Sequence, residues 1–147
     1  MIGCYLLVLF LKENCKLKIG SLGFREFKKG YYVYVGSAFG KNISIEKRVN
    51  RHKRLVLEKT GKTRWHVDYL LIHENVKLVK VIPFESNKKI ECKVSRKLEK
   101  IADDVVIGFG STDCKNRCLS HLYYFKLDPT KTVLKKLEEQ VKKEAGV

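Results

Sequence analysis

The amino-acid sequence predicts a single α/β domain of the α+β kind, a small and mostly antiparallel sheet flanked by helices. Three observations predict it. The run Gly3–Leu11 is apolar on both alternating faces: Leu6, Val8 and Phe10 point one way, Tyr5, Leu7, Leu9 and Leu11 the other. That is the pattern of a strand covered on both sides. Residues Tyr31–Gly36 hold the densest β-favouring composition of the chain. Four further segments, separated by turn and strand signals, read as helices. A length of 147 residues suits one compact domain, and 44% hydrophobic residues suffice for a core.

Taken in order, the first strand is followed by a turn at Glu13-Asn14 and by Cys15–Ile19, a candidate hairpin partner for it. Glycines 20, 23 and 30 mark a loop before the tyrosine-rich strand. From Ile43 to about Lys59 the pattern is helical. Ser44 is its candidate N-cap, Ile45, Val49 and Val56 its buried stripe, and Lys47, Arg51 and Arg54 its water-facing side. A shorter helix is expected over Arg64–His73, then a strand over Val76–Ile82 ended by Pro83. Lys88–Ile101 reads as a helix with Ile90, Val94, Leu98 and Ile101 on one face. Gly108-Phe109-Gly110 reads as a loop, and Leu119–Leu127 as the last strand. Asp128 as N-cap and Pro129 at the first helical position open a terminal helix with Val133, Leu137 and Val141 on its apolar face. Residues 1–127 thus form the body of the domain, and 128–147 a C-terminal helix packed on it.

The net charge of +15 points to a polyanionic partner, nucleic acid being the commonest, with an acidic membrane surface, an acidic protein or simply a lysine-rich surface as the alternatives. The longest unbroken apolar run, Cys4–Leu11, is too short to span a bilayer as a helix, and no basic segment precedes it. Five cysteines, an odd number, suit a reducing compartment. The expectation is a soluble, cytoplasmic protein with no membrane partner. The positive charge is concentrated: residues 41–64 hold nine Lys or Arg against two Glu. Either this is a solvated helix face, or Lys41, Lys47, Arg51, Lys53, Arg54, Lys62 and Arg64 contact phosphates, gaining affinity by counterion release. No base-reading motif accompanies them, so weak sequence preference is expected.

Several residues are candidates for chemistry. Arg48 and His52 stand four apart on one side of the first helix, His52 at the margin of its apolar stripe. Glu91 lies beside the apolar face of a later helix. Tyr5 and Tyr34 sit inside apolar strands, where tyrosines commonly do no more than find a hydrogen-bond partner. Taken singly, each has an ordinary structural explanation.

Taken together, they form a pattern. Gly3-Cys4-Tyr5 followed by Tyr34-Val35-Gly36-Ser37-Ala38 resembles the paired tripeptides of the GIY-YIG nucleases. Glu46–His52 is similar to the arginine- and histidine-bearing helix of the phage homing endonucleases in that family, and Trp65–Tyr69 and Glu91-Cys92 lie where its second helix and metal-binding glutamate are placed. Arg51-His52, Trp65–Leu70, Gly108-Phe109-Gly110 and Ser120-His121-Leu122 extend the resemblance to a GIY-YIG-like subfamily sometimes fused to a DNA-repair glycosylase. Cys4 replaces the aliphatic residue of the first tripeptide, and four extra residues around Phe39–Asn42 precede the arginine helix. Asn116 is available for the family's late asparagine, in a different local context.

The resemblance implies a GIY-YIG-like fold and a divalent-metal-dependent endonuclease acting on DNA rather than RNA, in repair or recombination, with a DNA-repair protein as a partner. It implies Tyr5, Tyr34, Arg48, His52, His66 and Glu91 as catalytic, with Glu91 holding one Mg²⁺ or Mn²⁺. Tyr5 would help activate water, Tyr34 would position phosphate and Arg48 would stabilise developing charge. The alternative is a catalytically silent nucleic-acid-binding module of the same fold.

Asp113, Cys114, Cys118 and His121 fall close together, with Cys92 able to approach them. The spacing is not that of a paired-ligand knuckle, so buried cysteines and a loop hydrogen bond are expected rather than zinc. His121 could instead belong to the active site.

Overall fold

A computed structural model describes residues 1–112, 114 and 117–144. Its elements run β1 (Gly3–Leu11), β2 (Cys15–Lys18), a 3-10 turn (Gly20–Leu22), β3 (Phe24–Phe27), β4 (Gly30–Ala38), α1 (Ile45–Glu58), α2 (His66–Leu71), β5 (Val76–Glu85), α3 (Glu91–Ile101), β6 (Asp104–Val105), β7 (Leu122–Phe125) and α4 (Val133–Glu144). A five-stranded sheet has the order β5-β1-β4-β7-β6, each neighbouring pair antiparallel. The expected α+β architecture is what the chain adopts.

Between its partners β4 and β5, β1 divides the interior in two. Tyr5, Leu7, Leu9 and Leu11 join a core with Ile45, Val49 and Leu55 of α1 and with Val67, Leu70 and Leu71 of α2. Cys4, Leu6 and Val8 join a second core with Val94 and Leu98 of α3 and with Leu134, Leu137 and Val141 of α4. The two-fold alternation of a strand produces this division directly. The C-terminal helix therefore packs on the same sheet as the rest.

Several boundaries differ from the sequence reading. β2 pairs not with β1 but with β3, in a separate two-stranded sheet, because both edges of β1 are already occupied. Pro83 does not end β5, which continues to Glu85 opposite Gly3. An edge strand tolerates a residue without an N–H, and β5 is an edge. Asp128 caps a local turn, its carboxylate accepting from the Thr130 amide at 3.0 Å and hydroxyl at 2.7 Å, and α4 begins only at Val133. Leu134 rather than Val133 is the fully buried residue of its first turn. The last strand is confined to Leu122–Phe125, and Ile101 is exposed at the end of α3.

In α1, Ser44 is the N-cap, its side-chain oxygen accepting from the Lys47 amide at 3.1 Å. The buried stripe is Ile45, Val49, His52 and Leu55, with Val56 only partly buried. His52 is thus in the interior rather than at the stripe's margin. Arg51, expected to face water, is half-buried and held by an acidic partner on α2.

Candidate functional site

The β1–β4 register sets Tyr5 opposite Gly36. A Cβ built on Gly36 would stand 2.3 Å from Cζ of Tyr5, so the glycine makes room for the tyrosine ring to lie across β4. The ring then meets α1, where its hydroxyl lies 2.7 Å from Nε2 of His52. Tyr34, two residues before Gly36 on the same face of β4, sets its ring edge-on to His52 at 6.2 Å between centroids and to Phe109 at 6.5 Å.

Tyr5 and His52 are respectively 1% and 0% exposed. Burial drives the Tyr5 hydroxyl above its ordinary range, and neighbouring Tyr34 adds to this, against an opposing pull from Arg48. Burial likewise holds the His52 imidazole down to about 4, so the ring is neutral near neutral pH. Its Nδ1 has no hydrogen-bond partner among the described residues. Tyr34, Arg48 and His66 are all partly exposed and form the accessible side of this cluster.

Beside it, the sole tryptophan of the chain organises the arginines. The guanidinium carbons of Arg51, Arg48 and Arg64 lie 4.6, 4.9 and 5.9 Å from the Trp65 ring centroid. Arg48 also donates to the Ser37 carbonyl at 2.7 Å. Arg51 grips Asp68 through two parallel 2.9 Å bonds. The same carboxylate accepts from the amides of Arg64 and Trp65 at 2.7 and 2.9 Å, closing the open end of α2. Burial alone would raise the Asp68 carboxyl; the bonds from Arg51 and the two amides outweigh it and hold it below its ordinary value. Sequence reasoning missed Asp68. Its signal was an acidic residue at the third position of a short helix otherwise apolar on one side.

His66, at the start of α2, accepts at Nδ1 from the Gly110 amide at 2.8 Å and stacks edge-on to Phe109. This bond selects the Nε2–H tautomer of the neutral ring. A Cβ on Gly110 would lie 3.5 Å from the Tyr34 ring and 3.4 Å from Cβ of His121, which places the Gly108–Gly110 turn between those residues.

Glu91 arrives from the other core. It opens α3 over the opposite face of the sheet and acts electrostatically on Cys4, the neighbour of Tyr5 that points away from it. The Glu91 Oε2 is buried and lacks a hydrogen-bond partner among the described residues.

Of the other basic candidates, Lys41, Lys47, Lys53, Arg54, Lys62 and Arg64 are exposed. Arg51, Arg54, Lys62 and Arg64 line a shallow concavity of about 340 Å³ at the α1–α2 junction. Larger hollows lie elsewhere. One of about 620 Å³ follows a second basic row, Lys93, Arg96, Lys97 and Lys100 on α3 with Lys89 just before it, which sequence reasoning passed over. There Glu144 of α4 offsets Lys93 and Lys97, with ion pairs of 3.1 and 2.8 Å.

Four potential metal ligands also converge. The donor atoms of Cys92, Cys114, Cys118 and His121 all lie within 4.8 Å of one another, a group that could hold a metal ion. The approach of Cys92 allowed for in the sequence is realised: folding carries it, at the start of α3, to residues more than twenty positions later. Asp113 and Asn116, both considered from the sequence, lie outside the described residues.

The chain belongs to the family described as Domain of unknown function DUF123, whose model matches residues 4–143. Searches among curated proteins and among solved structures find no match. Among the described residues, no helix is long and apolar enough to cross a membrane.

Proposed function

We propose that this protein is a GIY-YIG-type nuclease hydrolysing phosphodiester bonds in DNA. The observation that carries the reading is the Tyr5–His52 hydrogen bond beneath Tyr34, beside three guanidinium groups gathered on Trp65. Aromatic hydroxyls, a neutral imidazole and clustered arginines suit a site that orients water against a phosphate and offsets the charge developing there.

The roles divide by accessibility. Tyr34 and Arg48 are partly exposed and are the groups that would meet phosphate, with His66 as a further donor through Nε2. Tyr5 and His52 are enclosed, so they act by positioning Tyr34 rather than by touching the substrate. This shifts the water-orienting role from Tyr5, whose hydroxyl burial keeps protonated, to Tyr34. Lys41, Lys47, Lys53, Arg54, Lys62 and Arg64 would bind the DNA backbone, while Arg51 chiefly holds Asp68.

Glu91, which opens α3 over the sheet face opposite Tyr5, would hold a divalent ion only where the two sides meet at the sheet's end, so its place in this site rests on the resemblance. Its buried Oε2, without a partner among the described residues, is a fitting donor, and one carboxylate completed by water suits Mg²⁺ or Mn²⁺. Such an ion, when bound, supplies Lewis-acid polarisation of a phosphate oxygen. Function in the cytoplasm, in DNA repair beside a repair protein, accords with the same reading.

The test is nicking or cleavage of plain, flapped and branched DNA in Mg²⁺ or Mn²⁺. The expected result is cleavage by the wild type that Glu91→Ala loses while retaining binding. The enclosure of both Tyr5 and His52 favours one alternative, a silent nucleic-acid-binding module. Binding without cleavage on every substrate would establish that alternative, and affinity insensitive to salt would overturn both.

A further inference from the structure

We propose that Cys92, Cys114, Cys118 and His121 form a tetrahedral Zn²⁺ site that staples α3 to the segment leading into β7. This inference stands apart from the nuclease reading and uses none of its residues.

The geometry comes first. The four donor atoms fit within 4.8 Å, and Sγ of Cys92 lies 3.3 Å from Sγ of Cys114. That separation is far beyond a disulfide bond of about 2.05 Å. Zinc–sulfur bonds of about 2.3 Å and zinc–nitrogen bonds of about 2.05 Å in a tetrahedron put sulfurs about 3.8 Å apart and nitrogen about 3.5 Å from each sulfur. Those spacings lie inside the observed envelope, and Cys92 and Cys114 need separate by only a few tenths of an ångström.

The donor chemistry selects the metal. Three thiolates and an imidazole favour zinc and disfavour Mg²⁺, Ca²⁺ or Mn²⁺, which prefer oxygen. The ion would therefore differ in kind from one held by the carboxylate of Glu91. Four protein ligands also complete a tetrahedron and leave no open position, the arrangement of a structural rather than a catalytic zinc.

The fold provides a reason for a staple. Between β6 and β7, no helix or strand occurs among the described residues. This segment is anchored by the buried Phe109 and by backbone bonds such as Gly108 N–H to Leu119 O at 2.8 Å and His121 N–H to Phe109 O at 2.8 Å. A long connection without helix or strand is uncommon in a compact domain, and a crosslink would hold this one in place. Three ligands come from that connection and the fourth from the first turn of α3, so one ion crosslinks two parts of the chain that share no strand pairing. Val35 of β4 donates to the His121 carbonyl at 2.9 Å, so the staple also reaches the strand that carries Tyr34.

The test uses the full chain, purified with a reductant from zinc-supplemented medium, with elemental analysis and Co²⁺ exchange as readouts. The expected content is roughly one zinc per chain. Replacement by Co²⁺ should give thiolate charge-transfer absorption and the intense visible bands of a tetrahedral ion. Cys118→Ser should lose both signals, whereas Cys15→Ser, altering a thiol on β2 outside the cluster, should keep them. A chelator should lower the melting temperature of the wild type and change that of Cys118→Ser little. If Cys118→Ser does not fold, the Co²⁺ spectrum of the wild type decides alone. Reduced protein that holds no zinc and gives no thiolate band with Co²⁺ overturns the proposal. So does undiminished metal in folded Cys118→Ser, or a Cys92–Cys114 disulfide in the metal-free, reductant-treated chain.

Discussion

The hydroxyl of Tyr5 lies 2.7 Å from Nε2 of His52, and neither side chain is more than 1% exposed. A strand and a helix 47 positions apart are joined there by a single polar contact inside an apolar core. Such a contact gains its strength from the low dielectric around it, and the same surroundings penalise a charge on either partner.

The first prediction concerns acid. His52 titrates near 6.5 in the unfolded chain and is held down to about 4 in the fold. Between those values the unfolded state binds the extra proton. Its stability contribution is therefore present above about pH 6.5 and declines as the pH falls towards 4, by up to roughly 3 kcal/mol. Denaturant titrations of the wild type from pH 7 to 4 should show this decline, and His52→Gln should flatten it. Equal slopes in the two proteins would refute it. Asp68, held below its ordinary value of 3.8, adds its own loss only at lower pH, so the two effects are separable.

A second prediction concerns Gly36. An alanine there would drive its methyl into the Tyr5 ring. Gly36→Ala should destabilise the protein by about 1–3 kcal/mol, the range of overpacked interiors. The double variant Gly36→Ala, Tyr5→Leu should recover part of that loss in urea melts. No recovery would mean that the ring is not the obstacle.

Asp68 supplies a third. Asp68→Asn removes the charge that Arg51 grips while leaving a side chain of the same size. The expected loss is about 2–4 kcal/mol, since a buried partner is left unmatched. Trp65 reports on the change directly, because it is the one tryptophan in the sequence and Arg51 lies 4.6 Å from its ring centroid. Its emission should shift in native Asp68→Asn. An unchanged spectrum would show that Arg51 keeps its place without the carboxylate.

Salt dependence gives a fourth. If Arg54 and Lys62 each meet a phosphate, alanine at either should reduce the slope of log affinity against log salt by about 0.9 on duplex DNA. Arg51→Ala should lower stability more than it lowers that slope, because its guanidinium is committed to Asp68. Unchanged slopes for Arg54→Ala and Lys62→Ala would remove this concavity from the binding surface.

How much of this was visible in the sequence depended on the range of the deciding interactions. β1, β4 and α1 were legible because their periodicity is local and strong, and Tyr5 and Tyr34 could be assigned to strands for that reason. β2 was paired wrongly because four residues carry no information about which edges of β1 are taken. Pro83 was read as a stop because a proline announces a missing donor but not whether its strand lies at an edge. His52 was placed at a margin because its burial depends on Tyr5. Asp68 was passed over because its carboxylate is identified by Arg51, on another helix. Cys92 could be named as able to approach the later cysteines, but only the folded chain shows how close α3 brings it to them.

The course of β5 has a last consequence, for self-association. A ten-residue outer strand would ordinarily invite a second chain to extend the sheet. Here Pro83 lacks a donor, the pairing with β1 shifts register between Val8 and Leu9, and Lys77 and Lys80 stand exposed along the strand. At the opposite margin, β6 is two residues long. Each feature discourages copying of the sheet's edge, so the tendency of this sheet to grow into fibres is checked at both ends.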